Sequence, residues 1–223
     1  MARKADLREK IVDAAVALAE ARSWEEVRLF EVAETLGVDL NEVRRHFREK
    51  EDLIDAWFDR ADEAVLAASA APAFKALPAR VRLHRLIMAW LEALAGHRRV
   101  TRQMIYGRLE PGHVHMQVRG LLRVSRTVQW IREGARRDAA FLTRALEETV
   151  LTSIYLATFF RWLHDDSTDA AATRRLLDRL LRGAEWLPPF MFVPEQTVRA
   201  VDAAPAAAAD AGRPATAPAT PKS

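Results

Sequence analysis

The side chains best suited to recognition chemistry stand close together between Asn41 and Lys50. Asn41 offers a carboxamide, which can donate to and accept from the edge of an adenine in one plane. Arg44, Arg45 and Arg48 offer guanidinium forks, which grip a guanine edge or neutralise a phosphate. His46 and Lys50 add an imidazole and an ammonium group. At about 100° per residue, Asn41, Arg44, Arg45 and Arg48 fall on one side of a helix, and Val43 and Phe47 on the other. Such a rod has an apolar back and a polar front, suited to hydrogen bonding in a nucleic-acid groove.

Bond-breaking chemistry finds no comparable support. Ser125 and Ser153 lack a nucleophile-elbow context and obvious His/Asp partners. His113 and His115 suit a loop entering a helix better than a metal site, and no cysteine is present to help them. Glu147 and Glu148 lack the Glu-x-x-His companion of a di-metal site, and read instead as a solvated or helix-pairing feature. The expectation is a protein that is not an enzyme and carries no metal or cofactor.

A second group of residues is aromatic or sulfur-bearing: Trp90, Met104, Tyr106, Met116, Trp130, Tyr155 and Phe159. Ordinary core packing is the simpler account. The sharper one is a pocket for a small apolar or amphipathic ligand. Arginines such as Arg82, Arg98, Arg102, Arg119, Arg123 and Arg126 would then meet an acidic head group, although a solvated face explains any one of them.

The elements that must position these groups follow from period and punctuation. Gly37 after Leu36 closes a short helix, Leu29–Leu36. Asp39 stands at an N-cap position, and Glu42 three residues on completes a D-x-x-E capping box. One tight turn between two short helices, the second with an Asn/Arg front, makes a helix-turn-helix. Leu7, Ile11, Ala14, Ala15 and Leu18 give a first helix its packing face, behind a short basic arm, Met1–Arg8. Another helix runs from Lys50 to about Ala70, its polar face Glu51, Asp52, Asp55, Asp59 and Asp62 strongly acidic.

Pro72 and Pro78 bracket a break. Longer helices are expected over Arg80–Ala95, Val100–Tyr106 (ended by Glu110-Pro111-Gly112), Val114–Asp138, Phe141–His164 and Asp169–Leu187. The resulting fold class is all-α with about nine helices. A reading domain would occupy 1–50, a connecting helix and linker 51–77, and a ligand-binding and dimerisation domain 78–193. WLPPFMFV, from Trp186 to Val193, is expected to pack back onto that domain. The remainder, 194–223, is Ala/Pro-rich and too poor in large apolar residues to fold.

Here the residues V-A-x-x-L-G-V from Val32 and H-F-x-x-K-E-x-L from His46 carry a resemblance. Glu31–Leu53, with a long helix on each side, resembles the DNA-binding signature of the TetR family of bacterial repressors. The resemblance implies a homodimer on a palindromic operator, paired through its last two helices, here Phe141–His164 and Asp169–Leu187. It also implies that Lys50 touches phosphate. The chain departs from the family by placing Glu42 where Ser or Thr is usual and Arg44 where Tyr is usual. A further departure is SWEEVRL around Trp24, where the family favours a glycine and a hydroxyl residue. Arg44 would replace the tyrosine's backbone contact by a charged one.

Charge is distributed unevenly. Residues 1–50 carry 10 Lys/Arg against 11 Asp/Glu, whereas residues 78–137 carry 13 Arg against 3 Glu, within a chain of net charge +3. DNA affinity rests on phosphate neutralisation, so a near-neutral reading head leaves room for another reading. Phe141–Leu187, with TRALEETVLTSIYLATFFRW and DDSTDAAATRRLLDRLL, weakly resembles the ubiquinone-biosynthesis accessory protein, a lipid-binding member of the TetR fold. Under that alternative the arginine block would face anionic lipid at a membrane and no DNA would be read. The intact Asn/Arg face and capping residues favour the repressor reading.

Composition sets the remaining bounds. A chain of 223 residues, half of them hydrophobic, can bury a substantial core. It contains no cysteine, which fits a reducing compartment, and its first helix alternates charge and apolar residues unlike a signal peptide. No stretch has the length of apolar residues a membrane span needs. A cytoplasmic location is expected.

Overall fold

A computed structural model describes residues 2–109, 114–137 and 141–186, with most of their side chains. Among the described residues the chain forms nine α-helices and no strand. In order these are α1 (Ala2–Ala21), α2 (Leu29–Leu36), α3 (Leu40–His46), α4 (Lys50–Ser69), α5 (Ala79–Ala93), α6 (Arg98–Leu109), α7 (Val114–Gly134), α8 (Phe141–Leu163) and α9 (Ala171–Glu185). The expected Glu110-Pro111-Gly112 stop, the residues after Trp186 and the side chains of Arg3, Lys4 and Arg119 lie outside the described residues.

Burial of period-matched apolar stripes accounts for the packing. In α1, Ile11 and Ala15 are fully buried, with Leu7 and Leu18 packed against them. α4 is the shared strut: it packs chiefly on α5 and α7, and also on α1. One apolar cluster runs from Ile11 in α1 to Ala184 in α9. At its centre Phe58 of α4 stacks on Trp90 of α5 at 5.6 Å between ring centres, and Trp90 meets Tyr155 and Phe159 of α8 edge-on at 5.3 and 5.4 Å. The uncharged stretch of α8 is therefore buried mainly against its own chain.

Two boundaries and one acidic side chain depart from what the period alone gives. α7 ends at Gly134, because Arg136 turns left-handed (φ 54°) and the Arg137 amide closes back onto the Arg132 carbonyl. α9 starts at Ala171, since Asp169 and Ala170 are both left-handed. Asp62 leaves the solvated acidic face expected of α4 and is buried. It accepts from Trp90 Nε1 (2.9 Å) and Thr127 Oγ1 (2.9 Å), and pairs with Arg123 of α7 (2.8 Å).

Much of the arginine block is turned inward in the same way. Arg123 also pairs with Asp59, Arg132 and Arg137 enclose the buried Glu147, and Arg80 meets Asp178 at 2.7 Å. Arg98 lies over the Trp162 ring, 4.8 Å from its centre. Arg123 thus links the acidic side of α4 to α7, a pairing that net charge by segment cannot reveal.

Candidate nucleic-acid interface

Gly37 sets the direction of α3. Its backbone is left-handed (φ 63°, ψ 33°), and the Val38 amide closes onto the Ala33 carbonyl at 3.0 Å, ending α2. A Cβ there would meet nothing within 4 Å, so glycine is needed for its conformation and not for space. α3 then begins with Asp39 Oδ1 accepting from the Asn41 amide at 2.9 Å. The expected capping box is only half made. Glu42 does not turn back to Asp39; it forms an ion pair with Arg45, three residues along the same helix.

Val43 and Phe47 are buried and fix α3 to the rest of the head. Asn41, Arg44, Arg45 and Arg48 are exposed together. The side chains of Asn41, Arg44 and Arg48 engage no other side chain among the described residues, whereas Arg45 is held by Glu42. His46 is half-buried. Lys50 is also half-buried: its Nζ donates to the Trp24 carbonyl (2.5 Å) and the Glu25 carbonyl (3.1 Å) and lies 5.2 Å from the Trp24 ring centre. Burial lowers its pKa from the usual lysine range. In this arrangement Lys50 ties the α1–α2 loop to the start of α4. Arg8, expected in a free arm, lies over the Phe47 ring at 5.2 Å and near Asp59 at 3.7 Å.

Two acids of the first helix are held away from this surface, while Asp39 and Glu42 stay on α3 itself. Glu20 accepts from Arg99 of α6 at 2.9 Å and contacts His97 at 3.2 Å, and Asp13 pairs with Arg60 at 2.7 Å. Partial burial works to raise the Glu20 pKa, but hydrogen bonds from Arg99 and His97 outweigh it and hold the carboxyl below its usual range. The Trp24 amide donates to Gln103 Oε1 (2.9 Å) and Trp57 Nε1 to Thr101 Oγ1 (3.0 Å). These contacts fasten the head to α6. What remains outward is an amide and guanidinium face on a short helix after a tight turn.

One solved structure decides the family. A TetR transcriptional regulator from Nitrosomonas europaea ATCC 19718 is 51% identical, over 82% of this chain and 99% of that one, with a TM-score of 0.73. The chain belongs to the TetR family of transcriptional regulators. A TetR regulator from Rhodococcus sp. RHA1 shares its fold at 19% identity, over 80% of this chain and 96% of that one, with a TM-score of 0.58. No family model and no curated protein matches the chain. It is a TetR-like DNA-binding transcriptional regulator.

In this TetR-family regulator the described residues of the expected pocket lie partly in the core and partly on the surface. Trp90, Tyr155 and Phe159 pack on one another, and Met104 is buried. Tyr106 and Trp130 are on the surface, where the Tyr106 hydroxyl meets His164 Nε2 at 2.8 Å. The side chains of Met116, His113 and His115 lie outside the described residues. A groove of about 450 Å³ lies instead between α7 and α8, lined by Ser125, Val128, Gln129, Glu148, Thr149 and Thr152 among others. Sequence reasoning missed the Glu42–Arg45 pair, although the i, i+3 spacing was there to be read. It also missed the Asp62–Arg123 pair, which joins residues far apart in the chain and leaves no local signal. No helix among the described residues is long and apolar enough to cross a membrane.

Proposed function

We propose that this regulator is a homodimeric repressor that sets two copies of α3 into successive major grooves of a palindromic operator. In this reading residues 1–50 form the reading head, 51–77 the connecting strut and linker, and 78–193 the body. The observation that carries it is the exposed Asn41, Arg44, Arg45 and Arg48 face, fixed by the Gly37 turn and the buried Val43 and Phe47. Asn41 suits adenine and Arg45 suits guanine, and Arg44 and Arg48 take phosphate. His46 flanks that face, and Lys50 acts through the loop it holds.

Two late helices supply the pairing surface. Along α8 an exposed stripe of Leu146, Thr149, Ser153, Ala157 and Phe160 recurs at helical period, and Leu176 and Leu180 stay half-exposed on α9. A two-fold axis through Phe141–His164 and Asp169–Leu187 would cover these residues and present both heads to one duplex. A small amphipathic ligand in the body, at the hydroxyl-lined α7–α8 groove or by opening the aromatic core, would regulate it only by binding two head separations unequally.

Selection from a pool of random duplexes tests the reading. The expected product is a palindrome whose half-sites are about one helical turn apart, roughly 34–36 Å centre to centre. Arg45→Ala should relax the preference at one guanine per half-site by about 1–3 kcal/mol, and Arg44→Ala/Arg45→Ala should abolish selective binding. Enrichment of no sequence would reject the proposal.

A further inference from the structure

Leu40 is the first residue of α3, and spacing would place it on the same apolar stripe as Val43 and Phe47, three and seven residues on. Val43 and Phe47 are buried, at 0% and 1% exposure, whereas Leu40 is 48% exposed. The stripe therefore breaks at its first member, because the α2–α3 turn does not cover the start of the helix. Leu40 stands beside Asn41, and one turn before Arg44, both of them exposed. In a helix-turn-helix it is the first residues of the reading helix that meet base edges.

A branched alkyl group at that place has no hydrogen bond to offer. The apolar feature that a base displays in the major groove is the C5 methyl of thymine. We infer that Leu40 is a specificity residue of this regulator, packing against a thymine methyl beside the base pairs taken by Asn41 and Arg45. The inference rests on α3 being the reading helix, as proposed above. It adds a thymine to each half-site, next to the adenine and guanine that the amide and guanidinium groups select. It also gives the near-neutral head a source of discrimination that salt does not screen, since apolar contact does not involve counterions.

Deoxyuridine in place of thymidine removes only that methyl and keeps every hydrogen-bonding group of the base edge. The duplex selected by the wild-type protein is therefore resynthesised with uracil at each thymine in turn. Binding of wild type, Leu40→Ala and Leu40→Gln is then measured at constant salt. One uracil position per half-site should weaken the wild type about four-fold, the worth of one buried methyl, or about fifteen-fold when both half-sites are changed. Both variants should bind the thymine and uracil duplexes equally while still needing Arg44 and Arg45. Circular dichroism and thermal melting should match wild type, because Leu40 is not part of the core. Indifference of the wild type to uracil everywhere, or an undiminished uracil penalty in Leu40→Ala, overturns the Leu40 assignment and leaves the reading helix standing. Selective binding that survives Arg44→Ala/Arg45→Ala instead removes the reading helix, and this assignment goes with it.

Discussion

Two buried carboxylates show how one residue type answers to opposite demands. Asp165 accepts four hydrogen bonds: Ser167 amide (3.0 Å) and hydroxyl (2.5 Å), and Thr173 amide (2.7 Å) and hydroxyl (2.5 Å). Burial works to raise its pKa, and these donors more than reverse it, holding the group far below its ordinary value of 3.8. Asp62 goes the other way: burial raises it, and Arg123, Trp90 and Thr127 offset that only in part. Linkage fixes the signs. Because the Asp165 pKa is depressed in the folded state, its contribution to stability is complete above 3.8 and disappears as pH falls below that value. Asp62 costs stability as it ionises from 3.8 upward. Asp165→Asn should therefore be less stable than wild type at neutral pH and should flatten the acid limb of stability against pH, measured by urea unfolding from neutral pH down through 3.8. An unchanged acid limb would contradict the assignment. Neither role could be read from sequence, where Asp62 belongs to an acidic stripe and Asp165 to a polar turn. Glu42 was harder still, since both the capping box and the Arg45 pair satisfy it locally; the structure takes the pair.

At the scale of elements, the left-handed residues among those described lie between the α-helices. Gly37 and Asp169 have nearly the same left-handed φ, 63° and 53°, yet only the first is glycine. Gly37→Ala should destabilise by about 1 kcal/mol through conformation alone, since its Cβ would clash with nothing. Asp169→Gly at the exposed α8–α9 turn should stabilise by about 0.5–1 kcal/mol. Thermal melts of the two variants check this pair, and equal signs would contradict it. Helix identities were legible because Leu, Val and Trp recur at helical period from α1 to α9, and the α2–α3 turn was legible because Gly37 and Asp39 are local signals. The start of α9 was not, because neither Asp169 nor Ala170 marks a left-handed residue. That Trp90, Tyr155 and Phe159 meet one another depends on how α5 and α8 cross, which period does not specify.

Across the whole molecule, charge is arranged by pairing and not by segment. The arginine-rich stretch that looks like a surface for an anionic partner neutralises Asp59, Asp62, Glu147 and Asp178 within the chain. The first fifty residues, near-neutral in sum, pair Glu20 with α6 and Asp13 with α4, and leave Arg44 on α3 and Arg48 just after it unengaged by other side chains among the described residues. Trp24–Gln103 and Glu20–Arg99 tie the α1–α2 loop and α1 to α6, and Trp57–Thr101 ties α4 to it. If Arg44 and Arg48 of two heads are the phosphate contacts, about four phosphates are neutralised per dimer. The most direct test is a salt titration of binding to the selected duplex. The predicted slope of log K against log salt is about −3 to −4 for wild type, flattening toward zero in Arg44→Ala/Arg48→Ala. A slope that the double variant leaves unchanged, or a wild type that binds the selected duplex no better than random DNA, would contradict the account.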